Sequence, residues 1–179
     1  MKRALVVIDM QNGFINENTA HLSKKLIEFM SMTQFDKTIF TRFINRPETA
    51  CYKFEGYHDC MEGSSEAEII PELKYMGDVV FDKDKFSCWY GRFKEYIKIN
   101  KFDKLYFVGV NTGCCVLNSV LDAYNDLQDC AVISDLCGSS NGNHSHQIAL
   151  EVLAENITKS RVLTFDEAVK EIMGDCKGE

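Results

Sequence analysis

Three short stretches of this chain bring together residue types that can do chemistry. Asp9 stands directly after the apolar run Ala4 to Ile8 and is followed by Met10, Gln11 and Asn12. A carboxylate set at the end of a buried strand faces a cleft and can carry a proton there. Cys115 closes the sequence Asn111-Thr112-Gly113-Cys114-Cys115, between the apolar run Leu105 to Val110 and a helical pattern that begins near Val116. Free N–H groups and the positive end of a helix dipole lower a thiol's pKa at such a place and favour the nucleophilic thiolate. The same amides can receive an oxyanion. Lys83 and Lys85 follow the run Val79 to Phe81, and a lysine beside a thiolate stabilises its charge. Each stretch alone has an ordinary structural explanation as a capping aspartate, a buried cysteine or a solvated charge run. Together they place a base, a cation and a nucleophile at the ends of three strands.

The elements that must position them are legible in the hydrophobic pattern. Short β-branched or aromatic runs recur at Ala4 to Ile8, Thr38 to Thr41, Val79 to Phe81, Leu105 to Val110, Ala131 to Ser134 and Val162 to Thr164. Helical spacing lies between most of them, as in Leu22, Leu26 and Phe29, then Val116, Val120 and Ala123, then Ile148 and Val152. Alternation of strand and helix, with strands apolar on both faces, predicts an α/β fold with a parallel sheet covered by helices on both sides. In such a sheet functional groups collect at the carboxyl ends of strands, near the point where strand order reverses. The 179 residues suit one domain, 1–179, and no repeat or linker marks a second. The segment 45–66 breaks the rhythm and is a candidate lid or interface loop.

Composition narrows the partners. A net charge of -7 and a pI near 5.2 leave no electrostatic footprint for nucleic acid or an anionic membrane. No apolar run approaches the roughly 20 residues that cross a bilayer as a helix. The eight cysteines include no C-x-x-C pair, and MKRALVVIDM enters a strand pattern with no signal-peptide character, so the expected compartment is the cytoplasm. No G-x-G-x-x-G follows the first strand, which argues against a dinucleotide.

The motifs DMQNGF, KDKFSCW and GVNTGCCV, the last before a helix ending in DAY, resemble in content and order those of the isochorismatase-like cysteine hydrolases. EAEIIPEL, SDLCGSS and HQIAL extend the likeness over nearly the whole chain. The resemblance implies a Rossmann-like, three-layer α/β/α fold with a six-stranded, mainly parallel sheet. It also implies a catalytic triad carried onto Asp9, Lys83 and Cys115, with Cys115 matched because it directly precedes Val116. An oxyanion hole would come from the N–H groups of Asn111 and Cys115, beside a cis bond between Val110 and Asn111. Relatives that bind a divalent metal carry Asp-x-His and a second His after the second strand, whereas this chain reads TRFINRPETACYKF there. The expectation is therefore no metal and no cofactor. Phe14, Phe43 and Trp89 could wall a small substrate pocket, and relatives of this kind form dimers or tetramers. The activity implied is hydrolysis of a nonpeptide C–N bond in a small amide, carbamoyl or ureido compound. Vinyl-ether hydrolysis with Asp9 as acid, and a binding protein without turnover, are the alternatives.

Overall fold

All six apolar runs become strands in a computed structural model that describes residues 1–175: β1 Arg3–Ile8, β2 Lys37–Phe43, β3 Val79–Lys83, β4 Lys104–Val110, β5 Cys130–Gly138 and β6 Val162–Leu163. They pair in the order β3-β2-β1-β4-β5-β6, and every pair is parallel. The chain thus builds outward from β1 in one direction, returns, and builds outward from β4 in the other. The reversal lies between the carboxyl ends of β1 and β4.

Six helices cover the sheet: α1 His21–Met32, α2 Ala50–Glu55, α3 Gly91–Asn100, α4 Leu117–Asn125, α5 Asn143–Ile157 and α6 Phe165–Asp175. Every residue of β1 is buried, as a strand sandwiched between two helical layers requires. Ala4, Val6 and Ile8 share one core with Phe93 and Ile97 of α3, Val120 and Ala123 of α4 and Leu153 of α5. Leu5 and Val7 face the opposite core, with Leu22, Leu26 and Phe29 of α1 and Ala168 and Ile172 of α6. The i, i+4, i+7 spacing of the three α1 residues puts them on one helix face.

The structure departs from the sequence reading in three places. β3 is an edge strand that exposes Val80 and Asp82, so it is not apolar on both faces. β5 runs four residues past Ser134: the polar Asp135 interrupts the apolar pattern, but a register shift lets Cys137 and Gly138 pair with Gly109 and Val110. The helical chain after β4 starts before Val116, with a π-type turn over Thr112–Val116 that leads straight into α4. Cys115 therefore lies inside the first helical turn instead of ahead of it.

At the reversal point β4 passes β1 at a distance only glycine permits. Gly109 has φ +113, and a Cβ there would lie 2.1 Å from the carbonyl oxygen of Ile8. Gly109→Ala is expected to cost about 1–3 kcal/mol through the backbone conformation alone, and more through the clash. Urea unfolding of the variant measures this, and an unchanged midpoint would contradict the close approach.

Candidate active site

The chain enters the site just past the end of β1. Asp9 adopts φ +48, a left-handed conformation uncommon for a residue with a side chain but tolerated by aspartate. Its N–H donates to Thr41 Oγ1 at 3.3 Å, and the Thr41 hydroxyl donates back to Asp9 Oδ1 at 2.7 Å. Thr41 belongs to the neighbouring β2 and is fully buried, so one carboxylate oxygen is held in place. The other, Oδ2, lies 2.7 Å from Lys83 Nζ.

Lys83 is the last residue of β3, whose register sets it beside Phe43 of β2. From there its stem crosses Phe43, and the ammonium sits 5.3 Å from that ring's centroid. The ammonium donates to the Lys85 carbonyl at 2.9 Å and to Cys115 Sγ at 3.3 Å, and forms an ion pair with Asp9 Oδ2. Lys85 itself lies outside the site, with its ammonium over the Tyr90 ring.

Cys115 comes from the π-type turn after β4, a feature that recurs at functional sites. The peptide bond between Val110 and Asn111 is cis. The Asn111 carbonyl accepts the N–H groups of Cys114 and Val116, at 3.1 and 3.2 Å, and passes over that of Cys115 between them. The Asn111 side chain is held from outside, by the N–H of Ser140 at 2.7 Å. Asn111, Cys114 and Cys115 line a cleft of about 270 Å³ whose apolar walls are Phe14, Phe43 and Phe86.

These observations bring Asp9, Lys83, Cys115, Asn111, Phe14 and Phe43 to one place. Trp89 is not among them. It is buried against Phe93 with its Nε1 donating to Asp126, because α3 begins two residues later and draws it under the sheet. Arg42 is tied to Asp82 and Glu68, and Arg46 to Glu62, away from the cleft. Among the described residues no group of three His, Cys, Asp or Glu side chains is arranged to hold a metal ion, and no helix is long and apolar enough to cross a membrane.

Residues 3–164 match the family model described as Isochorismatase domain. The chain belongs to the isochorismatase family. It is 32% identical over 91 residues to isochorismatase family protein 1A of Dictyostelium discoideum, a match covering 48% of this chain and 44% of that protein. The chain spans about half the length of the curated relatives it matches. An isochorismatase-like hydrolase from Alkaliphilus metalliredigens superposes with a TM-score of 0.82 at 23% identity, covering 96% of this chain and 99% of that one. N-carbamoylsarcosine amidase from Thermoplasma acidophilum gives 0.75 at 24% identity, with 93% and 98% covered.

Three supports of this site were not legible in the sequence. Thr41 is one, hidden in a strand whose other residues read as core. Gln11 is the second: fully buried, it accepts from the Phe43 N–H and donates to the carbonyls of Phe43 and Ala67, pinning the chain after Asp9 to the cleft wall. The third is His146, whose Nδ1 lies 2.8 Å from Thr112 Oγ1 in the turn that carries Cys115. Burial holds the His146 pKa below its ordinary value. The segment 45–66 forms a wall of the cleft, organised by Asn45: its N–H donates to the Cys60 carbonyl, and its side-chain amide to those of Tyr57 and Asp59.

The electrostatics reverse the expectation of a depressed thiol pKa. Burial pushes the Cys115 thiol up most strongly, Lys83 pulls it down, and the charge of Asp9 together with a hydrogen bond to it pushes it up again. The balance lies well above the ordinary thiol value, because the nearby cation is already matched by a carboxylate. For Lys83 burial opposes the charge, but Asp9 and then Cys115 more than offset it and hold its pKa above the usual lysine value. The site thus sets a thiol that holds its proton more tightly than an ordinary cysteine beside the Asp9–Lys83 ion pair. Asp9→Asn removes both influences of Asp9 and leaves Lys83 unmatched, so the Cys115 pKa should fall. Iodoacetamide labelling of Cys115 at pH 7 is expected to speed up at least about tenfold. Labelling that slows or stays level in Asp9→Asn would contradict this reading of the site.

Proposed function

We propose that this chain hydrolyses a nonpeptide C–N bond in a small amide, carbamoyl or ureido compound, with Cys115 as nucleophile. The observation that carries the reading is a thiol opening on a cleft 3.3 Å from Lys83 Nζ, which in turn lies 2.7 Å from Asp9. Likeness to an N-carbamoylsarcosine amidase supports the choice of bond.

The chemistry follows from the resting charges. When a carbonyl carbon settles over the sulfur, the thiol proton passes to Asp9 and sulfur attacks the carbon. The anion that forms on the carbonyl oxygen is received by the N–H groups of Asn111 and Cys115. Asp9 then gives its proton to the leaving nitrogen, the C–N bond breaks, and an acyl thioester remains on Cys115. A water that delivers its proton to Asp9 attacks the thioester and releases the acid and the free thiol. Lys83 changes no bond. It matches the carboxylate at rest and the thiolate once the proton has moved. A thiol nucleophile of this kind suits a reducing compartment such as the cytoplasm.

The three groups act in one step, so their losses should not add. Cys115→Ala is expected to lower kcat/KM at least about 10⁴-fold on any amide the enzyme accepts, and Asp9→Asn about as much. Combining them should cost little beyond Cys115→Ala alone. An ammonia-release screen over short amides and ureido acids identifies the substrate, and steady-state kinetics on it measure the effects. Substantial activity in Cys115→Ala together with its loss in Asp9→Asn would overturn the thiol mechanism and favour acid-catalysed vinyl-ether hydrolysis.

A further inference from the structure

The cleft that holds Cys115 has an uneven charge. Glu55, at the end of α2, and Asp59, in the loop after it, both line the cleft, and both are exposed. Neither has a basic partner among the described residues. Several carboxylates elsewhere on the surface do, Asp78 with Lys37, Asp82 with Arg42, Glu62 with Arg46 and Asp126 with Lys94, but what sets Glu55 and Asp59 apart is the cleft they share. No lysine or arginine lines this cleft. Lys83 is buried and already in contact with Asp9, the Lys85 carbonyl and Cys115, and Arg42 and Arg46 are paired with their own acids.

Two further observations tie these acids to the site of reaction. Cys115, only 5% exposed, lines the same cleft of about 270 Å³. The charge of Glu55 also reaches the cleft's thiols: after burial, it is the chief influence raising the pKa of both Cys51 and Cys114. Phe14, Phe43 and Phe86 complete the walls, and aromatic faces beside carboxylates are the chemistry that holds an organic cation. A carboxylate or phosphate on the substrate would meet two unmatched negative charges and no cation free to receive it.

We infer that the substrate carries a positive charge on the part beyond its scissile carbonyl, an alkylammonium or guanidinium group, held by Glu55 and Asp59 against the aromatic wall while the carbonyl lies over Cys115. This deepens the reading of the cleft as a C–N hydrolase site and rests on it. The cleft is at the small end for a ligand pocket, which limits the substrate to a short chain between carbonyl and cation. Both acids belong to the segment 45–66, so that segment selects the substrate while the strand ends carry out the reaction.

The test has an arm that needs no turnover. Cys115 is labelled with iodoacetamide in the presence of n-butylammonium, n-butanol or n-pentanoate, in the wild type and in the double variant Glu55→Gln, Asp59→Asn. The expected result is protection of Cys115 by n-butylammonium at concentrations where the alcohol and the acid give at least about tenfold less, with the difference lost in the double variant and weakened by salt. Equal protection by all three, or a difference that survives in the double variant, would overturn the inference. The second arm compares kcat/KM for short amides matched in size that end in an ammonium, a methyl or a carboxylate group. The ammonium compound should lead by about tenfold or more, and the ratio should approach one in the double variant. If n-butylammonium protects selectively but no amide in the series is turned over, the cation site stands and the amidase reading fails.

Discussion

Asp9 and Lys83 meet 2.7 Å apart with side chains that are 0% and 2% exposed, which removes two full charges from water. The effective cost is several kcal/mol for each ion, and their attraction repays it only if the remaining donors and acceptors are matched. Here Thr41 meets one carboxylate oxygen, the Lys85 carbonyl and the Cys115 sulfur meet the ammonium, and the other carboxylate oxygen has only the ion pair itself. That requirement draws residues from β1, β2, β3 and the turn after β4 to a single point. A parallel sheet with its strand order reversed between β1 and β4 is the arrangement that brings these carboxyl ends together. The glycine that lets β4 press against Ile8 closes the remaining gap.

The same interaction explains why the thiol is quiet at rest. A lysine beside a cysteine ordinarily favours the thiolate, but a lysine already matched by a carboxylate does so much less. Burial then decides the direction, and the thiol holds its proton more tightly than a free cysteine does. A neutral resting thiol is less exposed to oxidation and stray alkylation than a free thiolate, since both follow thiolate character. In the proposed mechanism activation is tied to occupancy of the cleft, and the carboxylate that takes the proton is also the group that returns it to the leaving nitrogen.

Much of this architecture was legible before any coordinates. The six apolar runs became six strands, and the central ones, such as β1, were plainest because residues buried on both faces leave a continuous hydrophobic signature. Asp9 was visible because it stands where such a run stops and Cys115 because it precedes a helical pattern, whereas Lys83 was singled out mainly by the family resemblance of its motif. What the sequence hid was of two kinds. Supporting polar residues such as Thr41, Gln11 and His146 act through partners remote in the chain, 32 residues away for Thr41 and Asp9 and 34 for His146 and Thr112. The charge balance was hidden as well. The helix N-terminus and the lysine are local features, but the burial and the carboxylate that outweigh them come from packing. Trp89 misled for the same reason, since its place after a strand end said nothing of the helix that turns it into the core.

The central claim is that sulfur from Cys115, and not from its neighbour Cys114, makes the covalent bond. Rapid acid quench of the enzyme during turnover of an accepted amide, followed by peptide mass spectrometry, tests this most directly. The account predicts a mass increase equal to the substrate's acyl part on the peptide that contains both cysteines, with fragmentation placing it on Cys115. An adduct on Cys114, or an unmodified peptide while a burst of released amine shows an intermediate accumulating, would contradict it.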